Sequence, residues 1–92
     1  MIETKQFKKL ERSIKALANY RRLAIISVIK KEGESSVGDI AEELKLSMQA
    51  TSKHIKLLEA VEILSADQRG PLVYYSLSKS LPNFISNIIS GL

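Results

Sequence analysis

The sequence has no cysteine and no tryptophan, and it contains only two prolines and four glycines. The absence of cysteine excludes disulfide bonds, thiolate metal ligands and cysteine nucleophiles. No apolar run approaches the ~18 residues needed to span a bilayer, and the N-terminus lacks the apolar segment of a signal peptide. We therefore expect a cytoplasmic protein without a membrane partner.

The charges are distributed unevenly along the chain. Residues 1–31 contain nine basic and two acidic residues, whereas residues 32–46 contain five acidic residues and one basic residue. The net charge of +4 is compatible with a polyanionic partner but is not specific for one. Ninety-two residues suffice for a single domain with a thin core, so further burial by self-association is plausible.

Hydrophobic periodicity predicts a mainly α, α+β domain with the order α-α-α-α-β-β-α. Helices are expected over about 4–18 and 20–31, in a short segment from Ser36 to about 44, over 48–61, and after Pro82. Two strands, 63–67 and 72–77, flank a turn that contains Gly70 and Pro71. Two short helices joined by a tight turn and followed by a hairpin describe a winged helix-turn-helix. The sequence thus predicts one domain over 1–92, with the helix-turn-helix at 37–61 and the wing at 63–77; a generic α+β domain without a partner is the alternative.

The helix over 48–61 has an apolar face and an opposite basic face. At 100° per residue, Thr51, Ile55 and Leu58 fall within about 60° of one another and are expected to face the core. The opposite side has no carboxylate before Glu59, and its amide, ammonium and small side chains suit a helix that lies in the major groove of DNA. The predicted DNA contacts on and next to this helix are Ser47, Gln49, Ala50, Ser52, Lys53, His54 and Lys56. A solvated polar face is the alternative, and for His54 a packing or local hydrogen-bonding role competes with a DNA contact.

Outside this helix, Arg69 at the tip of the predicted hairpin is a candidate contact to the DNA backbone or minor groove; the alternative is an exposed turn residue without a role. Arg21 and Arg22 are further basic candidates whose direction the sequence does not fix. The first and last helices have more apolar side chains than a thin core needs, which predicts a dimer across a two-fold axis. Coverage of the apolar stripe of the last helix within the single chain is the alternative. The candidate interface residues are Phe7, Leu10, Ile14, Phe84, Ile85, Ile88 and Ile89.

Five short segments occur in a fixed order between about residues 14 and 77: Leu17-Ala18-Asn19 with Arg22-Leu23, Ser36-Val37-Gly38-Asp39-Ile40-Ala41, Ser47, Ser52-Lys53-His54-Ile55-Lys56-Leu57-Leu58-Glu59 and Val73-Tyr74-Tyr75. With them the chain resembles the ArsR/SmtB family of winged-helix repressors. The resemblance implies a homodimer formed by the first and last helices, 1–18 and 80–92, that binds a palindromic operator and represses transcription.

The chain departs from this family at its metal sites. Where some members have Cys-Val-Cys-Asp-Leu, this chain has Ser36-Val37-Gly38-Asp39-Ile40, and its last helix offers only Asn83, Asn87 and serines in place of histidine and acidic ligands. Neither set suits Zn²⁺, Ni²⁺ or As(III), so we expect no metal and no cofactor. Glu62 stands where the family usually has glycine after the fourth helix, so a left-handed turn there would be strained by roughly 1 kcal/mol, or the turn differs.

No pattern in the sequence favours catalysis. A Gly-x-Ser-x-Gly turn and a phosphate-binding glycine loop are absent, and the adjacent acids Glu42 and Glu43 point about 100° apart on a helix. The expected function is therefore sequence-specific binding of double-stranded DNA, with helix 48–61 in the major groove and the wing on the flanking backbone or minor groove. The alternatives are a winged-helix module that binds a protein, and an architectural DNA binder with little sequence preference.

Overall fold

The computed structural model covers residues 1–92 and contains five helices and a three-stranded antiparallel sheet. The elements are α1 Thr4–Leu17, α2 Tyr20–Glu32, β1 Ser35–Ser36, α3 Val37–Leu44, α4 Met48–Ala60, β2 Leu64–Arg69, β3 Leu72–Leu77 and α5 Asn83–Ser90. The predicted winged helix-turn-helix is confirmed, because α3 and α4 are followed directly by the β2–β3 hairpin. No helix is both long and apolar enough to cross a membrane.

Three polar side chains fix the helix starts that the sequence predicts. Asn19, Ser36 and Ser47 each precede a helix in extended backbone and accept hydrogen bonds from amides of its first turn. The bonds are Arg21 N–Asn19 Oδ1 at 3.0 Å, Arg22 N–Asn19 Oδ1 at 3.2 Å, Asp39 N–Ser36 Oγ at 3.2 Å and Ala50 N–Ser47 Oγ at 3.0 Å.

The turns after α3 and α4 have left-handed backbone at non-glycine residues. Lys45, with φ 55°, ends α3 and forms the turn of the helix-turn-helix. Glu62, with φ 63°, follows α4. The left-handed turn therefore forms there despite the glutamate, and a side chain in this conformation costs roughly 1–2 kcal/mol.

The short strand β1 is absent from the sequence prediction. Ser35 pairs with Tyr75 and Ser36 with Tyr74, so β3 lies between β1 and β2. In the hairpin itself, Arg69 pairs with Leu72, which leaves a two-residue loop that begins at Gly70 with φ 61°. Because Ser36 also caps α3, the sheet joins the wing directly to the start of the helix-turn-helix.

The core is centred on α2, whose Ile25, Ile26 and Ile29 are fully buried. This agrees with the predicted central position of that helix. α5 contributes Ile85 and Ile89, which are 0% and 3% exposed within the single chain. The assignment of these two isoleucines to a dimer interface is therefore wrong, because their side chains are already buried in the chain's own core.

Candidate nucleic-acid interface

Helix α4 has the two faces that the sequence predicts. Thr51, Ile55 and Leu58 are completely buried, so this face packs against the core. On the opposite side Gln49, Lys53 and Lys56 are exposed, and Ala50 and Ser52 on the flanks are half-buried. α4 thus presents two ammonium groups and one amide to the outside of the molecule.

The N-terminal end of α4 adds favourable groups for an anionic ligand. Ser47 is exposed and its Oγ accepts from the Ala50 amide, which leaves the hydroxyl hydrogen free to be donated outward. The first turn of α4 contains no acidic residue, so the positive end of the helix dipole is not offset there. This end of the helix can therefore approach a phosphate closely.

Arg22 has a position that the sequence did not predict. Its side chain turns back to the end of α1, where Nε donates to the Ala16 carbonyl at 2.5 Å and Nη2 to the Lys15 carbonyl at 3.3 Å. The third nitrogen, Nη1, lies 3.4 Å from Nδ1 of His54 on α4. By contrast, Arg21 is exposed and its guanidinium lies over the ring of Tyr20, 5.2 Å from the centroid.

His54 is half-buried at the edge between the core face and the outer face of α4. Burial lowers the pKa of its imidazole below the usual 6.5, and the positive charges of Arg22 and Arg21 lower the pKa further. The side chain is therefore neutral at pH 7. Because a guanidinium only donates, Nδ1 is the acceptor and the ring proton lies on Nε2.

Arg69, a predicted DNA contact, forms exposed ion pairs within the chain. Its guanidinium makes a two-pronged ion pair with Glu34, one bond of which, Nη2–Oε1, is 3.1 Å, and it also pairs with Asp67 at 2.9 Å. It lies over the ring of Tyr74, 4.8 Å from the centroid. These hydrogen bonds raise the pKa of Arg69 and surround its charge with two carboxylates. The contact of Arg69 with DNA stays a prediction, because its side chain is half exposed, and its ion pair with Glu34 also attaches the wing to the segment before β1.

The remaining candidate interface residues form an apolar surface on α1 and α5. Phe7 and Phe84 are 54% and 55% exposed, Ile14 and Ile88 are 39% and 37% exposed, and Leu10 is half-buried. We call these five residues the apolar face. Large apolar side chains that stay this exposed on the two terminal helices are candidates for a protein contact.

The residues at the family's metal positions do not fit a metal. The third helix offers Ser36 and Gly38 in place of the two cysteines, and no group of three His, Cys, Asp or Glu side chains in the chain is placed to hold a metal ion. Hydroxyl and amide groups alone are poor ligands for the soft and borderline metals that these regulators sense. The expectation of a metal-independent protein stays a prediction.

Comparison with known proteins agrees with this architecture. Residues 17–65 match a family model described as a helix-turn-helix domain. The transcriptional repressor SdpR of Bacillus subtilis is 33% identical over 67 residues, which cover 73% of each chain. The arsenical resistance operon repressor of the same organism is 31% identical over 80 residues, 85% of this chain and 76% of the relative.

A solved structure has a fold similar to that of this chain. It is the homodimeric winged helix-turn-helix DNA-binding domain of a possible ArsR-family regulator from Mycobacterium bovis, with a TM-score of 0.79 and 25% identity, over 92% of this chain and 75% of that one. Together with the two repressors, which are regulators of transcription and not enzymes, it places the chain in a family. The protein belongs to the ArsR/SmtB family of winged helix-turn-helix transcriptional regulators.

Proposed function

We propose that the protein is a homodimeric repressor that binds a palindromic operator, with α4 of each protomer in the major groove. The observation that carries the proposal is the outward face of α4, where Gln49, Lys53 and Lys56 are exposed in the second helix of a helix-turn-helix. In this arrangement 37–61 reads the operator, 63–77 flanks it as the wing, and 1–18 with 80–92 forms the dimer. The protein acts in the cytoplasm, without a cofactor and without catalysis.

The position of each residue on α4 indicates which part of the DNA it contacts. Gln49, Ala50, Ser52 and Lys53 face base edges: the amide pairs with adenine, the ammonium reaches guanine acceptors, and the small side chains permit close approach. Ser47, Lys56 and His54 contact the sugar-phosphate backbone, His54 through the Nε2–H that its bond with Arg22 leaves free. The wing rests on the flanking backbone or minor groove, where Arg69 contacts DNA by exchanging an exposed carboxylate partner for a phosphate.

The apolar face supports the dimer. It combines the exposed parts of Phe7, Ile14, Phe84 and Ile88 on the two terminal helices, and burial of such surface drives association. The M. bovis relative is a homodimer. A dimer sets two copies of α4 about 34–36 Å apart, one turn of DNA, which predicts a palindromic site.

The test is selection of bound sequences from a random duplex pool, followed by a salt titration of the selected duplex. We expect a palindromic motif, and an affinity whose logarithm falls linearly with the logarithm of salt concentration. Salt-dependent binding without an enriched motif would indicate an architectural DNA binder. Absence of salt-dependent DNA binding would contradict the proposal and favour a winged-helix module that binds a protein partner.

A further inference from the structure

We propose that Arg22 is a positioning residue that holds α4 at a fixed orientation to α1, and that its bond to His54 couples the dimer to the reading of the operator. This inference rests on the proposed function. The inference goes beyond the proposed function because it names the side chains that connect the apolar face on α1 with the exposed, DNA-binding face of α4.

On the α1 side, Arg22 contacts the C-terminal end of the helix. The carbonyls of Lys15 and Ala16 lie in the last turn of α1, at the negative end of the helix dipole. The Lys15 carbonyl also accepts from the Ala18 amide at 3.2 Å, so Arg22 adds a second donor to it and bonds the Ala16 carbonyl as well. These bonds hold the end of α1 against the start of α2, and Ile14 of the apolar face lies in the same turn of α1.

On the α4 side, the bond to His54 fixes the rotation of the reading helix. His54 lies between Lys53, which faces outward, and Ile55, which is fully buried. The hydrogen bond from Arg22 to this side chain therefore fixes the rotation of α4 about its own axis, and with it the direction in which the exposed face points towards the groove. The low pKa of the imidazole agrees with this, because only the neutral ring accepts a hydrogen bond at Nδ1.

Arg22 is directed mainly into the chain, although Nη1 and Nη2 each keep a second N–H that has no partner there. All three of its guanidinium nitrogens are engaged within the chain. A phosphate contact and a positioning role predict different salt dependences, because each phosphate contact that is lost reduces the slope of log K against log salt by about 0.9. Exposed Arg21 is the matched control: it has the same charge at the adjacent position and no side-chain bond to α1 or α4.

The first measurement needs no DNA. His54 is the only histidine, so one-dimensional proton NMR follows a single imidazole through its titration. In Arg22→Gln we expect the pKa of His54 to rise towards 6.5, and in Arg21→Gln to rise less, because Arg22 is the stronger of the two charge effects. An equal or larger rise in Arg21→Gln would contradict the observed contact.

The second measurement is a double-mutant cycle on binding to the selected operator and to random DNA. Arg22→Gln and His54→Ala should each weaken operator binding on the order of tenfold, equivalent to about 1.4 kcal/mol, with an unchanged salt slope, and the double variant should lose little more than either. His54→Asn, whose side-chain oxygen takes the place of Nδ1 but which lacks the Nε2–H proposed to contact the backbone, should retain more affinity than His54→Ala. Thermal unfolding of each variant shows that the compared proteins are folded.

Losses of operator affinity that add in the double variant would overturn the inference. It would also be overturned if Arg22→Gln lost as much affinity for random DNA as for the operator and its slope of log K against log salt fell by about 0.9, because Arg22 would then be a phosphate contact. Either result leaves the proposed function intact. If the wild type shows no preference for any selected sequence, the proposed function fails first and the inference fails with it.

Discussion

Replacement of Phe84 by alanine tests the dimer most directly. Phe84 lies in the first turn of α5 and is 55% exposed in the single chain, so its truncation removes surface without opening a large cavity in the core. In the proposed dimer this exposed half is covered by the partner. The substitution should therefore weaken association much more than it weakens folding.

The magnitude follows from the exposed fraction. Full burial of a large apolar side chain contributes about 1.5–3 kcal/mol, so the exposed half of Phe84 is worth roughly 0.8–1.5 kcal/mol. A two-fold axis places the same residue on both sides of the interface, which doubles the effect to about 1.5–3 kcal/mol per dimer. The dimer dissociation constant of Phe84→Ala should then rise by about 10- to 150-fold.

Sedimentation equilibrium over a range of protein concentrations measures this constant. The control is Leu72→Ala on the wing, where a side chain of similar exposure, 50%, lies outside the apolar face. We expect Leu72→Ala to dimerise like the wild type. A monomeric wild type, or equal dissociation constants for wild type and Phe84→Ala, would refute the assignment of this face to a dimer.

Three further predictions concern α4, the turn after it and its histidine. Lys53→Ala should weaken operator binding and relax its specificity by about 1–3 kcal/mol if Lys53 reads a base, whereas Lys79→Ala should not; an affinity unchanged at fixed salt would remove Lys53 from the interface. Glu62→Gly should raise the free energy of unfolding in urea by about 0.5–1 kcal/mol by relieving the left-handed strain, with Glu62→Ala as the control that keeps the strain; no gain for glycine over alanine would contradict that reading of the turn. Because His54 has a lower pKa folded than unfolded, its contribution to stability is complete above pH 6.5 and is lost as the pH falls from there through the folded pKa; chemical denaturation should show this loss, and His54→Asn should abolish it. A pH dependence that persists in His54→Asn would assign it to other groups.

The local signals in the sequence predicted most of the fold. Asn19, Ser36 and Ser47 start their helices as expected, because a cap depends only on residues within one turn. Strand β1 was missed because two serines show no alternation of apolar and polar residues. Its pairing is imposed by Tyr74 and Tyr75, almost 40 residues away along the chain.

Contacts between residues far apart along the chain also explain what the sequence did not predict at the candidate interfaces. Arg69 stands at a hairpin tip, which favours DNA, but its guanidinium also pairs with Glu34, 35 residues earlier. The apolar stripe of α5 does not reveal that Ile85 and Ile89 serve the chain's own core while Phe84 remains outside. Periodicity shows which residues share a helix face, and the tertiary fold decides what covers each part of it.

The attachment of the wing has a consequence for how the protein meets DNA. Arg69 of the hairpin pairs with Glu34, which lies outside it, and β1 pairs with β3, so the hairpin is attached to the rest of the domain before any ligand arrives. A flexible hairpin would lose about 0.5–1.5 kcal/mol for each side chain that becomes ordered at the interface. This wing is preorganised and avoids much of that loss. Since the pairs that hold it are exposed, high salt loosens the wing at the same time as it weakens phosphate contacts, and both effects act against complex formation.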